Sequence, residues 1–180
     1  MEKINIRRAT ESDISAINKL LYEVQKVHSD ARPDLFKAGA KKYDDDELRV
    51  ILADDSKPVF VAERDGNILG YAFCVHQQHI GSHNLTDIKT LYIDDLCVDE
   101  TARNAHVGTL LYEYVLDYAK KNGYYNVTLN VWTGNDNAIK FYEKMGLKIQ
   151  KMGMEKILYI LKGLNHYRVI ADAIRQGESG

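Results

Sequence analysis

The sequence predicts a mixed α/β fold: one central, mixed, twisted sheet of about six to seven strands, flanked by about four helices and followed by a C-terminal helical extension. Three observations carry that expectation. Inside VFVAERDGNILGYAFCV, two strand-like apolar segments meet at Asp65-Gly66, where glycine readily takes the positive φ of a tight hairpin. Further on, an apolar strand over 91–98, a helix-period stretch over 108–121 and another strand over 127–131 follow one another. That order implies a right-handed parallel crossover. Near the N-terminus, Ile14, Ile17, Leu21 and Val24 recur at intervals of three and four, the buried stripe of a helix.

Taken in order, residues 3–8 read as a short strand, and Thr10 with Asp13 three positions later forms a helix-start signature. The helix that follows ends near His28. Residues 28–43, HSDARPDLFKAGAKKY, are a polar stretch of the length that often serves as a binding element in a compact domain. Asp44, Asp45 and Asp46 then open a short helix through Leu52, because carboxylates favour the positive end of a helix dipole. In the helix over 108–121, Leu111, Val115, Leu116 and Ala119 face inward. After the strand over 127–131, Ala138, Ile139, Tyr142 and Met145 share one face of a helix that Gly146 stops. Residues 147–152 and 154–160 fit two closing strands around Gly153. Beyond them, Ile160, Leu164, Tyr167, Ala171 and Ile174 form a narrow apolar seam, suited to a docking helix or to a subunit contact in a homodimer. The expected division is a domain over 1–160 and an extension over 161–180, helical and then disordered.

Composition limits the function classes. With 180 residues, 45% of them hydrophobic and 28% charged, the chain fits one globular domain. A net charge of -2 with mixed signs offers no basic face for nucleic acid. No apolar run approaches the roughly 20 residues that cross a bilayer, and MEKINIRRAT lacks a signal-peptide core, so a cytoplasmic protein without a membrane partner is expected. Cys74 and Cys97 lie in strand-like apolar stretches without metal spacing and read as buried free thiols. His76, His79 and His83 lack a fourth ligand, and no metal site is expected.

The chemistry concentrates in YIDDLCVDETARNAHVGTLLYEYVLDYAKKNGY, a strand leading through a turn into a helix, whose unpaired backbone amides suit a pyrophosphate. R-N-A-H-V-G (103–108), YIDDLCV (92–98) and NDNAIKFYEKMGL (135–147) together resemble the GCN5-related N-acetyltransferase (GNAT) superfamily. Its pyrophosphate loop reads Arg or Gln, two residues, Gly, one residue, Gly or Ala. Arg103 and Gly108 match it, and His106 stands where the first glycine is expected. The YIDDLCV strand is similar to that of small bacterial-type members, including spermidine/spermine N-acetyltransferase, in which the carboxylate at the position of Asp94 is the assigned base.

The resemblance implies acetyl-CoA as acyl donor and a primary amine of a small molecule or peptide as acceptor. It implies that Leu96, Cys97 and Val98 offer backbone groups to the pantetheine arm, and that Arg103, Asn104, Ala105, His106, Val107, Gly108 and Thr109 hold the pyrophosphate. Asn135 is expected to contact the cofactor, and Tyr142 to lie near its sulfur as the acid, although a core aromatic at helical spacing is the plainer reading. Regular alternation puts Asp94, Leu96 and Val98 on one face and Asp95 on the other unless a bulge intervenes. Asp95 then serves either the substrate or a local ion pair or cap. Arg32 and Asp34 shape either the acceptor mouth or a plain turn. Alternatives to a small-molecule enzyme are a peptide or protein N-acetyltransferase and a non-catalytic CoA-binding module.

Overall fold

The computed structural model describes residues 3–103 and 105–158. β1 (Asn5–Arg8) leads through a single 3-10 turn into α1 (Ile14–Ala31), and α2 (Asp45–Ala53) precedes β2 (Val59–Arg64), β3 (Asn67–Gln77) and β4 (Thr90–Val98). α3 (Val107–Lys121), β5 (Asn126–Leu129) and α4 (Asp136–Lys144) follow. The strands lie in the order β1-β2-β3-β4-β5, antiparallel except for the parallel pair β4–β5 that α3 connects.

Local chemistry sets these boundaries. The Thr10 amide donates to Asp13 Oδ2 at 2.8 Å, and the same carboxylate takes two bonds from Arg7 at 2.7 and 2.8 Å, fixing the entry to α1 against β1. The Arg7 guanidinium holds the Asp13 carboxyl below the usual carboxylate range. Asp44 caps α2 by accepting the Glu47 amide at 2.8 Å. The β2–β3 hairpin turns at Asp65 (φ 53°) and Gly66 (φ 75°), the two left-handed positions that such a turn requires.

Each face of the sheet carries its own core. On one, Ile14, Ile17, Leu20 and Leu21 of α1 and Leu48 of α2 pack on Val59, Val61, Tyr71, Phe73 and Cys97. On the other, Val107, Leu111, Tyr112 and Val115 of α3 pack on Phe60, Ala72, Leu91 and Ile93, with Phe141, Tyr142 and Met145 of α4 half-buried against them. The closing strands expected over 147–152 and 154–160 do not form within 147–158, where Ile149, Met152, Met154 and Leu158 are exposed. Both segments carry apolar residues, but a strand needs a paired neighbour, and among the described residues none is supplied. The sheet there has five strands with β5 at its edge. Ile160 and the extension over 161–180 lie outside the described residues.

Gly70 sets the approach of β4 and α3 to β3. A Cβ at this position would stand 2.7 Å from the Cys97 carbonyl oxygen, 3.2 Å from Leu111 and 3.3 Å from Val107. Gly70→Ala is therefore expected to destabilise the fold by about 1–3 kcal/mol, read as a lowered melting temperature. An unchanged melt would show that the β3–β4 pair relaxes without loss.

Candidate active site

The centre of the site is an irregularity in β4. Across the β3–β4 ladder Phe73 pairs with Asp95 and Cys74 with Ile93, so Asp94 is an extra residue in the strand. A bulge of this kind shifts side-chain alternation by one. Leu91, Ile93, Leu96 and Val98 accordingly all join the core under α3. Asp94 and Asp95 both turn to the α1 side, where Tyr43 Oη donates to Asp94 Oδ2 at 2.9 Å and Tyr71 Oη donates to Asp95 Oδ2 at 2.8 Å. This corrects the regular alternation, which grouped Asp94 with Leu96 and Val98 and set Asp95 opposite.

The two carboxylates differ in environment. Asp95 is deeply buried, and desolvation pushes its carboxyl up to about 6 despite the Tyr71 hydrogen bond and the Lys42 charge, which pull it down. Asp94 is more open, with its side chain 22% exposed, and also takes a 2.6 Å bond from the Lys42 ammonium. Burial and the neighbouring Asp94 charge drive the Tyr43 hydroxyl well above its ordinary range, so it stays a donor. Cys97 shares this face, yet burial raises its thiol to about 12, and its Sγ lies 3.7 Å from the Leu20 carbonyl oxygen. It is a packed thiol with no means of acting as a nucleophile near neutrality. Cys74 is likewise free and buried.

Beyond the bulge β4 loses its neighbour. The parallel ladder runs only from Thr90/Asn126 to Ile93/Leu129, two residues short of the expected end of β5. From Asp94 to Val98 the edge of β4 on the β5 side has no ladder partner among the described residues, which leaves its backbone donors and acceptors open to another chain-like partner. Leu96, Cys97 and Val98 lie along this edge.

At the far end of that edge α3 begins. Its first helical hydrogen bond runs from the Leu110 amide to the His106 carbonyl oxygen, so the amides of Val107, Gly108 and Thr109 have no acceptor within the helix. His106 is left-handed, with φ 58° and ψ 17°, which explains why glycine is the expected residue there. Ala105 adjoins it in the turn, Arg103 bonds Glu100 at 3.3 Å, and Asn104 lies outside the described residues. Because His106 occupies a conformation that glycine adopts freely, His106→Gly is expected to keep the fold and to retain or modestly improve CoA affinity. At Gly108 a Cβ would lie 3.6 Å from both Phe141 and Val98, so the added branches of Gly108→Val crowd the start of the helix and should abolish binding. Calorimetric titration of CoA decides both; tight binding by Gly108→Val would remove residues 103–109 from the cofactor site.

Tyr142 stands on α4, packed against Phe141 and Tyr112 with ring centroids 5.0 and 6.0 Å away. Burial, followed by the Asp95 charge, raises its hydroxyl well above the ordinary phenol range. That hydroxyl has no hydrogen-bond partner among the described residues, so the proton is held and available. Asn135 uses its side-chain oxygen to accept the Ala138 amide at 3.3 Å and cap α4. Arg32 and Asp34 bind each other at 2.8 and 2.9 Å. Arg32 also reaches Glu155 at 2.6 Å and lies over the Trp132 ring at 5.9 Å. Phe36 stacks on His28 at 4.9 Å and meets the edge of Trp132 at 5.5 Å. The polar stretch over 28–43 thus forms a wall beside the end of β5. Sequence reasoning flagged this stretch but missed Lys42 and Tyr43 within it and Tyr71 on β3, which have no local signal because they lie 52, 51 and 24 positions from the carboxylates they meet.

The sequence pattern of the acetyltransferase (GNAT) family matches residues 21–147. Among relatives, the uncharacterized N-acetyltransferase MJ1207 of Methanocaldococcus jannaschii is 26% identical over 143 residues. The match covers 79% of this chain and 60% of that protein, so this chain spans less than two thirds of the relative's length. The tetramutant of the BH1408 protein of Bacillus halodurans is 29% identical, with a TM-score of 0.81 over 86% of this chain and 99% of that one. An aminoglycoside acetyltransferase, meta-AAC0020, from an uncultured soil metagenomic sample and solved with sisomicin, shares the fold at 20% identity and a TM-score of 0.63, over 88% of this chain and 97% of its own. The open edge of β4, the open helix start and a family match spanning both lead to one assignment: this chain belongs to the acetyltransferase (GNAT) family.

Proposed function

We propose that this chain transfers an acetyl group from acetyl-CoA to a primary amine of a small molecule or peptide, by direct attack with both substrates bound. The carrying observation is that the β4 bulge brings Asp94 and Asp95 to one face, beside a strand edge that has no ladder partner among the described residues and leads to an open helix start. In this reading the backbone of Leu96, Cys97 and Val98 pairs with the pantetheine arm as a neighbouring strand would. Residues 103–109 hold the pyrophosphate, with Asn135 nearby.

The acceptor must lose a proton before it can attack. An alkylammonium with a pKa near 10.4 is deprotonated at pH 7 at a cost of about 4.6 kcal/mol. Asp94 attracts the cation and takes its proton through water; its Oδ1 has no hydrogen-bond partner among the described residues. Asp95 adds negative charge behind it. A β4 backbone amide donates to the oxygen on which charge develops, and Tyr142 protonates the departing thiolate. No covalent enzyme intermediate is needed. Arg32 and Asp34, paired to each other, shape the acceptor mouth rather than contribute a charge of their own.

Thioester consumption with a panel of polyamines, amino sugars, amino acids and peptides tests this reading. Turnover dependent on one of these amines supports it. CoA binding without turnover across the whole panel would favour a binding module instead.

A further inference from the structure

We propose that Lys42 is an internal acceptor, acetylated on its ε-amine by its own chain. This rests on the reading of Asp94 as the carboxylate that receives the acceptor amine.

Lys42 Nζ donates to Asp94 Oδ2 at 2.6 Å and lies 5.4 Å from the centre of the Tyr43 ring. A primary ammonium of the chain therefore occupies the place that the reaction assigns to the acceptor. Its neighbours fix it there. Lys41 Nζ donates to Asn18 Oδ1 at 2.7 Å and Asp45 Oδ1 at 2.8 Å. Tyr43 Oη is bound to the same Asp94 oxygen, and Asp44 caps α2. With 41, 43 and 44 each anchored, the loop presents Lys42 to Asp94 from a defined backbone position rather than as a swinging surface chain. The Lys42 side chain is 39% exposed, which leaves it room to turn.

The step balances with acetyl-CoA as the only co-substrate. The Lys42 ammonium gives one proton to Asp94 through water, and the neutral nitrogen attacks the thioester carbonyl carbon. A C–N bond forms as the C–S bond breaks, the second nitrogen proton leaves to solvent, and the thiolate is protonated by Tyr142, which regains a proton from solvent while Asp94 gives up its own, so one proton is released overall. The product is a neutral amide at residue 42. It can no longer pair with Asp94, so the carboxylate is released to external amines. Each chain undergoes this event once.

The test is intact-mass spectrometry and peptide mapping of the purified full chain incubated with acetyl-CoA and no amine. The expected result is one added acetyl group on Lys42, or one already present there on purification. The first-order rate constant should be independent of protein concentration, lost in Lys42→Arg and lowered at least tenfold in Tyr142→Phe. An unmodified Lys42 in a chain that acetylates external amines overturns the inference while leaving the proposed function standing. Acetylation scattered over exposed lysines, with Lys42 not preferred and Tyr142→Phe without effect, overturns it as well. If neither Lys42 nor any external amine is acetylated, the proposed function falls with it.

Discussion

Tyr142→Phe is expected to lower kcat by about a hundredfold or more while leaving acetyl-CoA affinity essentially unchanged. The substitution removes one hydroxyl and keeps the ring that packs against Phe141 and Tyr112, so the half-buried surface of α4 is preserved. The hydroxyl has no hydrogen-bond partner among the described residues, and its removal orphans no other group. Burial and the Asp95 charge keep the phenol protonated across the working pH range, the state required of an acid. Steady-state kinetics with calorimetry of acetyl-CoA binding checks the split. Weaker binding with unchanged turnover would make Tyr142 a cofactor-packing residue and reject its role as acid.

The second large effect belongs to the paired carboxylates. Asp94→Asn should slow acetylation near neutral pH by about a hundredfold, with partial recovery at higher pH as free amine becomes available. A pH-rate profile that overlays the parent would exclude Asp94 as the base. Asp95→Asn separates stability from rate. The Asp95 carboxyl is raised from 3.8 to about 6 by burial, so between those values the folded chain binds more protons than the unfolded one. Its contribution to stability is full below about pH 4 and is lost as pH rises through about 6. At pH 8 the variant, which can still accept the Tyr71 hydrogen bond, should therefore melt several degrees above the parent, and the gap should close below pH 4. A variant that melts below the parent at pH 8 would show that the Asp95 charge is compensated in the fold.

Much of the architecture was legible because it rests on short-range signals. The α1 stripe, the Asp65-Gly66 turn and the acidic opening of α2 are written in neighbouring residues, and each element lies within a few positions of its expected bounds. The cofactor edge was legible for the same reason, since a strand, a turn and a helix follow directly. What escaped depended on pairing between distant segments. Whether Asp94 is an extra residue is decided by β3, through Phe73 and Cys74, and nothing within YIDDLCV marks it. Tyr43 and Tyr71 reach the two carboxylates across 51 and 24 positions. Two closing strands over 147–152 and 154–160 were expected around Gly153, but a short apolar segment marks a candidate for pairing without supplying its neighbour.

The bulge also bears on how this strand can vary over descent. A β-strand assigns inside and outside by the odd or even count of its residues, and one extra residue reverses that assignment for everything downstream. Exchanging one side chain for another at 94 or 95 changes the reagent but keeps the count. Deleting either position restores the count: one carboxylate is lost and the other stands alone opposite Phe73, while Leu96 to Val98 keep their pairing with Ala72, Tyr71 and Gly70. Length at this point is thus held more tightly than identity. A lineage can change the group it presents here by single substitutions, whereas a one-codon gap would cost it the juxtaposition itself.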